Sequence, residues 1–177
     1  WNSTPIYPRG PQGGVSEWQF FGGSLDGITS KLDYLADLGV TVLYLNPIFR
    51  AASNHKYDTA DYLMIDDAFG DEDSFSALCS EAKKRGIRII LDGVFSHTGA
   101  DSKYFNLFGK EGVNGAFQGE SSPYRSWYNF TGDGYESWWG VRDLPNVDEL
   151  NSSFSDLIYR GSDSVIRHWM RLGASGW

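Results

Sequence analysis

The sequence predicts an α/β fold, and three observations carry the prediction. Two short apolar runs, Val40-Thr41-Val42-Leu43-Tyr44-Leu45 and Ile87-Arg88-Ile89-Ile90-Leu91-Asp92-Gly93-Val94-Phe95, have the near-continuous hydrophobicity of parallel strands buried on both faces. Each is preceded by a segment of helical periodicity that stops at a glycine. The links between them are short. Helix, strand, helix, strand in that order is the pattern of an α/β sheet, with right-handed crossovers expected.

Residues 1–22 are rich in Gly, Pro, Ser and aromatics and read as loop. Leu25, Ile28, Leu32, Leu35 and Leu38 then keep one helical face apolar, and Gly39 stops the helix. Pro47 ends the first strand. A second helix runs from about Asp73, with Phe75, Leu78, Cys79 and Ala82 on one stripe. Lys83-Lys84-Arg85 complement the dipole of its last turn and Gly86 ends it. A third helix carries Val165, Ile166, Trp169 and Leu172 on one side, with Gly173 as its stop.

From Ser96 to about Ser155 no period persists, and a structureless stretch of this length inside a domain is usually functional or a linker. This one is not a flexible linker. Of the 28 aromatic residues (7 Trp, 10 Tyr and 11 Phe), eleven fall between Tyr104 and Trp139. Two parallel strands do not make a stable sheet alone. The chain opens in loop and helix and reaches Gly176-Trp177 where a further strand is due, so it reads as the interior of a larger protein.

Hydrophobic residues at 41% and charged residues at 21% describe a folded chain and exclude disorder. No apolar run approaches the ~18 residues of a membrane span, and no signal peptide is visible at the N-terminus. Fifteen Lys and Arg against 23 Asp and Glu give a net charge of −8, a field that repels phosphate backbones and anionic lipid. Nucleic acid and membrane are therefore excluded as partners. Cys79 is the single cysteine, which leaves no internal disulfide and no cysteine-based metal cluster.

Polar side chains gather after the two strands, where ligands bind in parallel α/β folds: Asn46-Pro47 and Ser53-Asn54-His55-Lys56-Tyr57-Asp58-Thr59-Ala60-Asp61-Tyr62 after the first, Asp92 and Ser96-His97 after the second. His55, Asp58, Asp92 and His97 are of the types that ligate metals, but His55-x-x-Asp58 and Asp92-x4-His97 are common chance patterns. The alternative is structural: Asp92 accepting backbone N–H bonds at a strand end, His97 a satisfied polar residue and Tyr57 part of the core. No Gly-x-Gly-x-x-Gly or Walker loop follows either strand, so nucleotide phosphates have no cradle. Gly-x-Ser-x-Gly is absent, and Cys79 lies on an apolar stripe, so neither nucleophile is supported. The inserted aromatics suit a neutral, amphipathic ligand such as a sugar, whose C–H face packs on Trp or Tyr while Asp, Asn and His bind its hydroxyls. Filling the core of an irregular insert is their other use. Asn2-Ser3-Thr4, Asn129-Phe130-Thr131 and Asn151-Ser152-Ser153 match the N-glycosylation pattern, a frequent chance match.

Several motifs, in order, resemble the α-amylase family (glycoside hydrolase family 13). They are Phe20-Phe21-Gly22-Gly23-Ser24-Leu25-Asp26-Gly27-Ile28, Lys31-Leu32-Asp33-Tyr34-Leu35, and Leu38-Gly39-Val40-Thr41 through Leu45-Asn46-Pro47-Ile48-Phe49. The Ser53–Tyr62 segment resembles the stretch that carries the family's sugar-stacking tyrosine. Asp92-Gly93-Val94-Phe95-Ser96-His97 resembles its signature Asp-x-Val-x-Asn-His at the end of barrel strand 3. Leu144-Pro145-Asn146-Val147-Asp148-Glu149 resembles the motif late in its inserted domain B, and Gly173-Ala174-Ser175-Gly176-Trp177 the approach to strand 4.

The resemblance implies an incomplete (β/α)8 TIM barrel with an irregular domain B after barrel strand 3. Residues 1–95 would be partial barrel, 96–158 domain B, and 159–177 the return to the barrel. The implied chemistry is retaining hydrolysis of α-glucosidic bonds, α-1,4 and in some members α-1,6, in starch-type glucans, maltodextrins or cyclodextrins. No catalytic carboxylate is expected within the segment; all three lie after Trp177. The substrate-binding expectations are Tyr57 stacking on the ring at the cleavage point and His97 bonding a sugar hydroxyl. Asp92 would organise the strand end, and Asp58 and Asp61 would brace the Tyr57 loop. Composition alone adds Trp138 and Trp139, or Tyr128, as further subsites. Ser96 stands where the family usually has an asparagine that ligates calcium; hydroxyl is a poorer donor for a hard cation, so structural calcium is in doubt, with Asp148 an alternative oxygen donor. No other cofactor is implied. The expected partners are an α-glucan and the rest of the same barrel, in a bacterial protein of cytoplasmic or secreted location. The Ser-Asn-His-Lys-Tyr-Asp and Leu-Pro-Asn-Val stretches lean toward neopullulanase and cyclomaltodextrinase relatives. The rival readings are an α-glucan transglycosylase with the same site and a non-catalytic, amylase-like binding protein.

Overall fold

The computed structural model describes residues 20, 22–110, 112–132 and 134–177. The loop expected over residues 1–22, and the glycosylation triplet at Asn2, fall almost wholly outside the described residues. The chain divides into two compact units, residues 1–48, 64–92 and 170–177 in one, residues 49–63 and 93–169 in the other. The stretch read from sequence as an insert, 96–158, lies within the second.

The first unit is built on a parallel pair. Strand β1, Val42–Leu45, lies beside β4, Arg88–Leu91, with Val42 opposite Arg88 and Leu45 opposite Leu91. On the other side of β4, Gly176 forms a parallel bridge to Ile90, and the Leu91 amide donates to the Gly176 carbonyl at 3.1 Å. Helix α3, Glu72–Lys84, buries Phe75, Leu78, Cys79 and Ala82, the stripe expected from its periodicity. Asp71 caps it: its carboxylate accepts from the Ser74 amide, and the Ser74 hydroxyl accepts from the Asp71 amide. Gly173 has φ +119, and a Cβ there would stand 2.6 Å from the Cβ of Cys79, so both conformation and space require glycine. Burial pushes the Cys79 thiol up to about 11, which makes it inert as a nucleophile.

Four expectations are corrected here. The first helix is two, α1 (Leu25–Thr29) and α2 (Leu32–Asp37). The Thr29 hydroxyl bonds the Leu25 carbonyl and the Ser30 hydroxyl the Gly27 carbonyl, and such side-chain bonds compete with helix continuation. Leu38, expected on the buried face, is 66% exposed. Strand β1 is not buried on both faces, since Tyr44 is 58% exposed; among the described residues only β4 pairs with it. The second strand ends at Leu91, so Asp92–Phe95 are loop.

The second unit holds a ribbon of β2 (Phe49–Ala51) with β3 (Thr59–Ile65), whose last two residues belong to the first unit. Strand β3 falls in a stretch that reads as polar loop. A two-residue hairpin, β5 (Phe130–Thr131) and β6 (Gly134–Tyr135), and 3-10 turns make up most of the rest. Helix α4 (Ser152–Ser155) runs into a π turn, and α5 (Val165–Arg171) buries Val165 and Trp169.

Aromatic rings replace regular structure as the organising element. Phe105, fully buried, contacts Tyr135 at 4.6 Å, Tyr128 at 4.8 Å, Phe117 at 5.6 Å and Phe130 at 5.9 Å between centroids. Tyr104 touches Trp127, Tyr124 and Tyr62, and Trp127 packs on Phe154. Trp169 packs at a tilt against Phe49, 5.1 Å between centroids, and donates its indole N–H to the Tyr62 carbonyl at 2.9 Å.

Candidate functional site

Four backbone segments of the second unit lie side by side and position the candidate residues. Residues 96–100 run antiparallel to 143–147: the Thr98 amide donates to Pro145, Ala100 to Asp143, and Val147 to Ser96. On one flank the Gly99 amide donates to the Thr59 carbonyl at 2.9 Å; on the other, Trp138 donates to Leu144 and Asn146 to Glu136. The Leu144–Glu149 motif is thus paired directly with the Ser96-His97 motif. A Cβ on Gly99 would meet the Asp58 carbonyl oxygen at 2.5 Å, so only glycine lets residues 96–100 approach the Tyr57 loop this closely. Tyr62, fully buried, shares its hydroxyl proton between the carbonyls of Val94 (2.8 Å) and His97 (3.1 Å).

These contacts bring His97 to Tyr57. The His97 imidazole is 5% exposed; its Nε2–H donates to the Tyr57 carbonyl at 3.0 Å and its Nδ1 accepts from the Ser96 hydroxyl at 3.1 Å. A carbonyl can only accept, so the proton of the neutral ring is on Nε2. Burial holds the His97 pKa below the ordinary imidazole value of 6.5, outweighing the opposing effects of the Tyr57 carbonyl and the Asp58 charge. His97 is therefore neutral at pH 7. The Tyr57 ring is 40% exposed, not part of the core.

The loop behind Tyr57 is closed on itself. Both oxygens of the buried Asp58 carboxylate are held by Ser53, one by its hydroxyl and the other by its amide at 3.0 Å. Asp58 is thus tied to Ser53, five residues earlier in the same loop. Asp61 is not: its carboxylate pairs with Lys103 at 2.7 Å and accepts from the Leu63 amide, tying β3 to residue 103 instead. Ser53 and Lys56 are part of this loop and were assigned no role from sequence. Lys56 has φ +64, where asparagine or glycine would be the usual signal, so nothing in the sequence marked it. Ser53 Oγ also lies 3.1 Å from His55 Nδ1, but that nitrogen accepts from the Tyr57 amide and the aspartate holds the serine, not the histidine. The arrangement is not a nucleophile–base pair.

Asp92 belongs to the first unit, one residue past β4 and partly buried. Trp138 and Trp139 belong to the second. Their rings stack at 5.0 Å with a 7° interplanar angle, and Trp138 lies 5.7 Å from the His97 ring. Trp139 is 88% exposed in a left-handed conformation, φ 51. Beside them opens a cavity of about 460 Å3 lined also by Asn129, Glu136, Asn146 and Asp148. Tyr128 is corrected: it is 4% exposed, packs on Phe105, and its hydroxyl pairs with Thr98 at 2.9 Å, so it is core. Tyr104, Phe105 and Trp127 are buried like it, whereas Phe108, Phe117, Trp138 and Trp139 remain exposed.

The residues that the resemblance raised for calcium, Ser96 and Asp148, each make a hydrogen bond within the protein. The Ser96 hydroxyl is donated to His97, Asp148 Oδ1 accepts from the Leu150 amide, and among the described residues no three His, Cys, Asp or Glu side chains converge as metal ligands. The His55–Asp58–Asp92–His97 metal reading lacks support for the same reason, with Asp58 and both nitrogens of His97 already engaged.

The second unit thus carries an exposed tyrosine bonded through its backbone to a buried neutral histidine, with exposed tryptophans nearby. Residues 5–177 match the model of the α-amylase catalytic domain, and the chain belongs to that family. It is 45% identical over its whole length to an amylopullulanase of Thermoanaerobacterium saccharolyticum and 39% identical over 99% of its length to a cyclomaltodextrinase of Geobacillus thermopakistaniensis. It spans 16% of the first and 30% of the second. Among solved structures it matches the cyclic α-maltosyl-(1→6)-maltose hydrolase of Arthrobacter globiformis in complex with maltose, with TM-score 0.77, 34% identity, all of this chain and 38% of that one.

Proposed function

We propose that these residues form the sugar-holding side of the active site of a retaining glycosidase that cleaves α-glucosidic bonds in starch-type glucans, maltodextrins or cyclodextrins. The observation that carries this reading is the Tyr57–His97 pairing, a buried imidazole bonded to the backbone carbonyl of a tyrosine whose ring is half-exposed, in a chain of the α-amylase family. Tyr57 offers its ring to the apolar face of the glucose unit at the cleavage point. His97 shares its Nε2–H between the Tyr57 carbonyl and a sugar hydroxyl, a bond that strengthens as the ring distorts toward the transition state. Asp92 organises the end of β4. Trp138 and Trp139 extend the binding surface to further glucose units, with the amides and carboxylates beside them reaching hydroxyls.

The barrel reading places domain B around residues 96–158. The nucleophile and general acid, two carboxyl groups ~5 Å apart in a retaining enzyme, are supplied from outside residues 1–177. The relatives' printed names, an amylopullulanase and a cyclomaltodextrinase, supply the substrate class. The test is the product profile of the full-length protein on pullulan, β-cyclodextrin and starch, in wild type and His97→Ala. Maltose- or panose-sized products that disappear with His97→Ala are expected; an unaltered rate in the variant would overturn the assignment of this site.

A further inference from the structure

Ser53 and Lys56 stand apart from the residues discussed so far: both are almost fully buried, at 1% and 2% exposure, and neither faces open solvent where a sugar would lie. Each is committed to the loop that presents Tyr57. Ser53 Oγ donates to Asp58 Oδ1 and accepts from the Lys56 amide at 2.9 Å, while the Ser53 amide donates to Asp58 Oδ2 at 3.0 Å. One side chain thereby holds the residues on both sides of Tyr57. The Lys56 ammonium reaches back to the Ala51 carbonyl at 3.0 Å, closing the loop across its base. The backbone of Lys56 is in the left-handed region, which is unfavourable for a side-chain-bearing residue and persists only where the surroundings impose it. That turn directs the next residue, Tyr57, so that its carbonyl meets His97 while its ring stays accessible.

We infer that Ser53 and Lys56 are positioning residues, which act on the reaction by holding Tyr57 in a preorganised orientation. The inference rests on the sugar-stacking role proposed for Tyr57. Stacking that is set before substrate arrives contributes to transition-state binding without reorganisation, so its loss lowers kcat and kcat/KM together. Loss of general stability has no such requirement and no dependence on Tyr57.

The experiment uses the full-length enzyme with maltoheptaose. Ser53→Ala is expected to lower kcat about tenfold, the worth of a hydrogen bond to a charged group, with KM changed less than about twofold. Ser53→Thr, which keeps the hydroxyl, is expected to recover most of the rate. Introduced into Tyr57→Ala, the Ser53→Ala change is expected to lower kcat no further, because its effect passes through the missing ring. An equal tenfold loss in that background, or full activity of Ser53→Ala alone, would overturn the inference. If Tyr57→Ala itself leaves the rate untouched, the stacking role fails and the inference falls with it, an outcome distinct from the additive one. Should Ser53→Ala not fold, Lys56→Met removes the ammonium contact while keeping the stem, and the same comparison is made with it.

Discussion

The Nε2–H of His97 and the backbone carbonyl of Tyr57 meet at 3.0 Å across 40 residues of sequence, and this contact links the two loops that carry the candidate site. It settles the tautomer of an imidazole that burial keeps neutral, and it leaves the Tyr57 ring on the accessible side. A pH dependence follows from the direction of the His97 shift. Its pKa is lower in the folded protein than in the unfolded chain, so the unfolded state binds the proton first as pH falls. Stability contributed by neutral His97 is therefore complete above the unfolded value near 6.5 and is lost as pH drops from there through the folded value. Thermal melts between about pH 7 and pH 5 should show Tm falling with pH in wild type and a shallower fall in His97→Asn. Parallel curves would remove His97 as the source.

The backbone approach at Gly99 predicts a sharp steric response. Gly99→Ala places a methyl group against the Asp58 carbonyl, which is main chain and cannot swing away. Overpacking of this kind costs about 1–3 kcal/mol, and the displaced loop carries Tyr57 with it. Denaturant unfolding should register the loss, and a variant as stable as wild type would show that the two segments have room to separate.

The two aromatic populations should respond in opposite ways. Phe105→Ala opens a cavity at the centre of a ring cluster and is expected to cost about 3–5 kcal/mol. Trp139→Ala, at an 88% exposed position, should change stability by no more than about 0.5 kcal/mol. In the full-length enzyme the same change should raise KM for long maltooligosaccharides roughly fivefold, the loss of one stacking contact of about 1 kcal/mol. Unchanged KM across chain lengths would take Trp139 out of the binding surface.

Chelation provides a further check. Because Ser96 and Asp148 are engaged with His97 and the Leu150 amide, EDTA should shift the Tm of wild type and Asp148→Asn equally. A stabilisation by calcium that Asp148→Asn abolishes would mean that Asp148 takes part in a cation site built with other donors.

Much of the first unit was legible because its signals are local. The apolar stripe of α3, its glycine stop and the basic last turn all follow from a 3.6-residue period and from the unpaired groups at helix ends, and each is where periodicity places it. The break between α1 and α2 was not, since the stripe from Leu25 to Leu35 continues across it while hydroxyls of Thr29 and Ser30 take the backbone acceptors. Nor was β3, where Asp61 within it and Asp58 just before it give a strand the appearance of loop. Their carboxylates are satisfied by Ser53 and Lys103, partners fixed only by folding.

At the candidate site the division is the same. Sequence alone named Tyr57, Asp58 and His97, through motif order, and marked residues 104–139 as aromatic beyond ordinary need. Only the tertiary structure separated those rings into core and surface, burying Tyr128 and exposing Trp139, because hydrophobicity is identical for a ring in either place and burial depends on what packs against it. It also brought Ser53 and Lys56 into the reckoning. Hydrogen bonds within a non-repeating loop have no period to read, and their partners exist only once the backbone has turned.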